Sequence, residues 1–288
     1  MSPLRLVILV TLAMLAFAGN SLLCRMALKH TSIDAASFTT VRLLSGACML
    51  WLVVRLRRGT GSAAGERAGG NWLSACALFV YATGFSFAYV SMPAATGALL
   101  LFGAVQATMI GYGVVQGERM HALQIVGLAL ALAGLVALML PGLAAPSLRS
   151  SLLMLSAGVA WGVYSLRGKQ ETNRGVSDPT QVTAGNFMRA VPMALGLSLL
   201  TLQHLSLDRT GLGLAVLSGA LASGLGYAIW YRALPALKAT QAATVQLSVP
   251  VLAALGGVVF IGEAVSAAML LASSAILGGI ALVILQKK

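Results

Sequence analysis

The chain has 288 residues, 58% of them hydrophobic and only 9% charged, with a mean hydropathy of +0.90. A soluble domain usually carries about 25% charged residues, so this composition excludes a water-exposed globule, and with it most soluble enzymes and binding modules. The net charge of +12 would suggest nucleic acid in a soluble protein; in a membrane protein it reports orientation instead.

Ten apolar runs, most of them long enough to cross a bilayer as helices, follow one another: 4–24, 35–54, 71–91, 94–115, 122–140, 151–166, 181–203, 211–231, 239–260 and 267–285. The first follows Arg5 and contains Ala16-Phe17-Ala18, which resembles a signal-peptide cleavage site. The apolar run continues past it to Leu23 and has a partner in the second half, so we expect it to be retained. It carries Asn20 and Ser21, and Arg25 near its end is expected to snorkel to the interface. Span two carries Arg42, and a Gly/Ala/Arg-rich loop, Arg55–Gly70, follows it. Span three brings Tyr81 and Phe85, and span four brings Gln106 before ending at Gly117-Glu118. Span six holds Trp161, Tyr164 and Ser165; span seven holds Arg189 and Pro192. Span eight holds Tyr227, Trp230 and Tyr231; span nine holds Gln246 and Pro250 and runs into Gly262-Glu263. Trp51 and Trp72, at span ends, fit an interfacial aromatic belt.

The two halves repeat. Ala16-Phe17-Ala18-Gly19-Asn20-Ser21-Leu22 recurs as Ala160-Trp161-Gly162-Val163-Tyr164-Ser165-Leu166, and Arg42 recurs as Arg189. Ala82-Thr83-Gly84 recurs as Ala222-Ser223-Gly224, Gly117-Glu118 as Gly262-Glu263, and Ala133-Gly134 as Gly278-Gly279. Five spans per copy is odd, so the second copy crosses in the opposite sense, the layout of many secondary transporters. We expect one five-helix repeat over 1–140 and its inverted partner over 150–286. The fold class expected is an all-α integral membrane protein, ten transmembrane helices in two inverted repeats around a central cavity. Gly158/Gly162 and Gly113/Gly117 have GxxxG spacing, which lets helix backbones approach closely. With the N-terminus inside, 13 of the 19 Lys and Arg fall on inner loops and three on outer ones. This bias places both termini in the cytoplasm.

Ionisable groups at membrane depth are costly, about 2.5–3.5 kcal/mol for Arg near a helix centre. Arg42 and Arg189 lie at mirror-related depths. Either they attract an anionic group such as a substrate carboxylate, or they cap helix carbonyls or snorkel. All seven acids and all three His fall in loops or at span ends. A buried carboxylate or His relay, common in proton pumps and cation exporters, is therefore missing, which disfavours a cationic-drug antiporter. The candidate substrate-binding residues are Asn20, Tyr81, Phe85, Gln106, Trp161, Tyr164, Tyr227, Trp230 and Gln246: amides and hydroxyls seek inward partners, and rings suit an apolar or aromatic substrate. Each ring has an alternative role in lipid packing. Pro250 and Pro192 can kink their helices and are candidate hinges. Cys24, Cys48 and Cys76 are scattered without CxxC pairing, so neither a disulfide framework nor a metal site is expected. No GxxxxGK[ST] loop is present, which argues against ATP drive within the chain.

With Pro250-Val251 running on to Gly262-Glu263 and Gly278-Gly279, the Ala-aromatic-small entries of spans one and six, and Arg42, the chain resembles the bacterial drug/metabolite transporter superfamily with two EamA-type repeats. It is also similar to the YddG-type aromatic amino-acid exporters. The resemblance implies alternating access around a cavity lined by spans one, three, four, six, eight and nine, and export across the bacterial inner membrane. The expected function is export of amino acids, aromatic or large neutral ones, and related metabolites. The alternatives are a carrier of anionic metabolites using Arg42 and Arg189, and a broad drug/metabolite efflux protein. The expected partners are a small-molecule substrate and membrane lipid, with no cofactor, no metal, no nucleic acid and no enzymatic activity, in a monomer.

Overall fold

Short polar residues placed just ahead of apolar runs start the helices of this chain. The structure, a computed structural model, describes residues 2–58, 69–117, 121–139, 146–173, 178–237 and 245–285. Helix α1 (Pro3–His30) begins with Ser2 accepting from the Arg5 N–H and with Pro3 in the first turn, where a missing donor costs nothing. Asp34 opens α2 (Ala35–Arg58) by accepting from the backbone N–H groups of Ala36 and Ser37. Asn71 caps α3 (Trp72–Tyr89), Asp178 caps α7 (Pro179–Leu200) and Asp208 caps the helix that starts at Arg209. Between them lie α4 (Ala94–Val115), α5 (Ala122–Met139) and α6 (Leu148–Asn173). Helix α8 (Arg209–Ala233) is continuous but passes through a π-helical stretch, Leu217–Leu225. Helices α9 (Ser248–Ile261) and α10 (Ala267–Leu285) complete the chain.

The helical segments fall where the apolar runs predict them, and the described residues contain no strand. Five of them (α1 to α4 and α8) are long and apolar enough to cross a membrane, and α5, α9 and α10 are shorter apolar helices.

The two Gly-Glu motifs end corresponding helices. Gly117 follows α4 with φ 90° and Gly262 follows α9 with φ 68°. Both lie in the left-handed region that a Cβ disfavours. Nothing lies within 4 Å of a Cβ built on either glycine. Backbone conformation, not space, therefore explains these two glycines. Glu118 lies outside the described residues.

The most extensive helix packings have mates. Helix α3 packs on α6 and α8 on α1; α4 packs on α6 and α9 on α1; α3 packs on α7 and α8 on α2. The pairs α2–α7, α4–α9 and α5–α10 map onto themselves. Exchanging α1 to α5 with α6 to α10 leaves this list unchanged. Small residues make the seams: Gly158 and Gly162 of α6 face Leu101, Ala104 and Thr108 of α4, and Gly127 of α5 lies against Gly279 of α10.

Pro192 sits inside α7, which runs through it unbroken. Pro250 acts differently: the helix is interrupted at Leu247 and restarts at Ser248. A proline removes the donor that would meet the carbonyl four residues earlier, here that of Gln246, next to the interruption.

Candidate functional site

Aromatic side chains from α1, α3, α6 and α8 converge at the centre. The Trp161 ring lies 4.8 Å from Tyr81, 5.0 Å from Tyr227 and 5.4 Å from Tyr164, stacked on the last. Phe17 meets Tyr227 edge-on at 5.7 Å and Trp230 at 5.9 Å. Phe17, Asn20, Ser21, Tyr81, Phe85, Leu101, Phe102, Trp161 and Tyr227 enclose a cavity of about 20 Å³. That is room for about one water, far less than a drug-sized pocket of roughly 300 Å³ or more. The centre expected to be hollow is closed here, because the rings pack on one another.

A polar chain runs behind the rings. Arg42 on α2 is 1% exposed. Its Nη2 donates to the Tyr81 hydroxyl at 2.8 Å and its Nε to Ser223 Oγ at 3.3 Å. The guanidinium lies 4.8 Å from the Phe85 ring centre and 5.1 Å from that of Tyr81, a cation–π arrangement. Its Nη1 has no hydrogen-bond partner. The Tyr81 hydroxyl accepts a second bond from Asn20 Nδ2 at 3.2 Å, and Asn20 Oδ1 accepts from Ser218 Oγ at 2.7 Å. Ser218 and Ser223 both belong to the π-helical stretch. In an α-helix, residues five apart diverge by about 140° at 3.6 residues per turn. The wider π turn, bonded i to i+5, brings them toward one side, where one meets Asn20 and the other Arg42.

Two faces close over this centre differently. On one, Arg25 of α1 is 8% exposed and its Nε donates to Glu263 Oε1 at 2.9 Å. Its Nη1 donates to the carbonyls of Tyr89 and Val90, and Glu263 Oε2 accepts from the Ala94 N–H at 2.7 Å. Beside it, Asp34 accepts from the Ser206 N–H. Burial raises the Asp34 pKa, but the bonds from Ser37, Ser206 and Ala36 outweigh it and hold the carboxyl below its usual 3.8. The Gly211 N–H likewise lowers that of Asp208. On the opposite face, Arg167 donates to Ser74 Oγ and Asn71 Oδ1, and Arg57 to Thr180 Oγ1. Burial falls away toward that face: residues 94–106 of α4 are all buried, whereas 107–117 include none, nor do residues 3–12 of α1.

The structure therefore unites Asn20, Tyr81, Phe85, Trp161 and Tyr227 around the small cavity and sets Arg42 behind Tyr81. The other candidates lie elsewhere. Gln106 faces a separate small space among α4, α5 and α10, so it does not join the ring cluster. Trp230 is buried behind Phe17. Tyr164 lies one layer toward the Arg167 face, its hydroxyl accepting from Asn186 Nδ2 at 3.4 Å. Gln246 is half-buried at the interruption before α9. Arg189 donates to the carbonyls of Gly69 and Gly185 and so fastens a loop. Arg25 does not snorkel: its partners are inside the protein. Phe17, Ser218 and Ser223 were missed; Phe17 could have been found as the repeat mate of Trp161.

Residues 148–285 match the EamA-like transporter family. The chain is 55% identical over 280 residues to an uncharacterized protein of Pseudomonas aeruginosa, covering 97% of this chain and 94% of that one. It is 33% identical over 133 residues to the threonine/homoserine exporter RhtA of Salmonella typhimurium, and 33% over 128 residues to that of Escherichia coli. These two matches span 43% and 41% of those proteins. One crystal structure, 20% identical in sequence, covers 99% of this chain and is itself covered to 98%, with a TM-score of 0.69, which shows a shared fold. The apolar helices and these relationships make this a multi-pass membrane protein of a transporter family with a small-molecule substrate. Through residues 148–285 the chain belongs to the EamA-like transporter family.

Proposed function

We propose that this protein is a secondary transporter of the bacterial inner membrane that exports amino acids, aromatic or large neutral ones, by alternating access. The two halves, 1–140 and 150–286, are inverted repeats, and both termini lie in the cytoplasm. The Arg25–Glu263 face is then external and the Arg167 face cytoplasmic.

The observation that carries the reading is Arg42. A buried guanidinium inside a membrane protein is expensive and calls for a partner, yet this one meets two neutral hydroxyls, two ring faces and nothing at Nη1. A carboxylate is the acceptor that matches it. A solute entering between Asn20 and Tyr81 meets an amide and a hydroxyl first. Turning Tyr81 aside then presents Nη1 and Nη2 to its carboxylate, while its side chain lies among Trp161, Tyr227 and Phe17. The exposed ends of α1 and α4 on the Arg167 face are the cytoplasmic approach, and the Arg25–Glu263 pair holds the outer side shut. Outward opening requires these contacts to exchange, with the interruption before Pro250 as a hinge. A clamp using both arginines is not supported, since Arg189 serves Gly69.

The test is flux of Trp, Phe, Thr and Met in proteoliposomes of the pure protein. At least one is expected to move well above empty vesicles; no flux for any of them ends the amino-acid claim. Homology to the threonine/homoserine exporter RhtA is why Thr belongs in the panel.

A further inference from the structure

We infer that the Arg42 site is built for a net monoanion: an aromatic or branched apolar carboxylate whose amino group is absent or acylated. This rests on the proposed reading of Arg42 as the carboxylate receptor and replaces the zwitterion of that reading with its anionic relatives.

The argument is a charge count. The groups acting on Arg42 are Cys24 of α1, Tyr81 and Phe85 of α3, and Ser223 and Tyr227 of α8. Thiol, phenol and hydroxyl are all uncharged at neutral pH. Asp34, Asp178 and Asp208 cap helix ends, and Glu263 is spent on Arg25 and Ala94. The remaining acids fall by sequence outside the apolar spans. Among the described residues no acid meets Arg42, so the site carries one uncompensated positive charge.

A simple carboxylate neutralises it. A zwitterion brings its own ammonium with the carboxylate, so the loaded site is again positive, with two cations close together in a medium that screens them poorly. Nor does an ammonium find an anionic partner: the Asn20 amide oxygen, which already accepts from Ser218, and the Tyr81 hydroxyl are both neutral. The ring walls welcome the apolar part of either ligand equally, so the discrimination comes from the ammonium.

Four ligands sharing one phenyl ring separate the terms: 3-phenylpropionate, N-acetylphenylalanine, phenylalanine and phenethylamine. Thermal stabilisation of the purified, detergent-solubilised protein reads binding for each at one pH near neutrality, and vesicle flux corrected for passive leak reads transport. The two anions are expected to bind about tenfold or more tightly than phenylalanine, with phenethylamine inert. Arg42→Gln is expected to erase the preference, while Arg189→Gln retains it. Phenylalanine binding and moving as well as the two anions overturns this inference and leaves the amino-acid exporter standing. If no ligand either stabilises the protein or moves, the inference falls together with the reading of Arg42 on which it rests.

Discussion

Arg25, on the face that closes over the centre, and Arg42, behind the central rings, are both buried arginines, and they are satisfied in opposite ways. Arg25 has a carboxylate at 2.9 Å and two backbone carbonyls, and its partner Glu263 is itself tied to the start of α4. Among the described residues Arg42 meets no acid, only two neutral hydroxyls, and keeps an idle N–H. A charge engaged by a carboxylate and two carbonyls fastens elements together. A charge left short of acceptors, in a protein that carries the cost of burying it, is the one we propose as a receptor. The difference teaches which arginine to assign to structure and which to function, something that burial alone does not distinguish.

The largest effect expected from this contrast is on stability at Arg25. Glu263→Gln strands a buried guanidinium, and breaking one side of a buried pair costs about 3–5 kcal/mol. Chemical unfolding in detergent should show it, and the double replacement Arg25→Met with Glu263→Leu should recover most of the loss. A single variant as stable as the parent would remove the fastener from the account. Next comes Arg42→Gln. It is expected to leave stability unchanged or higher, yet to cut transport about 10–100-fold, the worth of one charged hydrogen bond at about 1.5–3 kcal/mol. Smaller again is Ser223→Ala, which removes a neutral bond at 3.3 Å and should change apparent substrate affinity no more than about tenfold, from roughly 0.5–1.5 kcal/mol. Gly262→Ala, at a φ of 68°, should cost about 1 kcal/mol of stability and leave transport unchanged.

The pH dependence follows from the loop acids. Asp34 and Asp208 have folded-state pKa values below the usual 3.8. Their contribution is full above that value and is lost as pH falls through the lower folded values. Unfolding midpoints should thus be insensitive to these two groups from about pH 7 to pH 5, and Asp34→Asn should flatten the acid limb below 3.8.

Much of the fold was readable from the residues. Apolar run lengths located the helices, and Ser2, Asp34, Asn71, Asp178 and Asp208 mark starts that any capping argument recognises. The repeated Gly-Glu pair marked two corresponding helix ends, with its glycines in the left-handed conformation. The site was less legible. Helix α4 is buried on every side from Ala94 to Gln106, so no periodicity told which way Gln106 points. Arg25 and Glu263 are 238 residues apart, and a single sequence does not show which distant residues meet. Ser218 and Ser223 share a side only because α8 adopts a π turn there; helical spacing of 3.6 separates them.

The central claim is that Arg42, and not its repeat mate Arg189, receives the carboxylate of the transported solute. Flux of Trp, Phe, Thr and Met through the parent, Arg42→Gln and Arg189→Gln proteins in matched vesicles tests it most directly. The account predicts transport within about twofold of the parent for Arg189→Gln and a loss of at least about tenfold for Arg42→Gln. An Arg42→Gln protein that carries these solutes at the parent rate would contradict it.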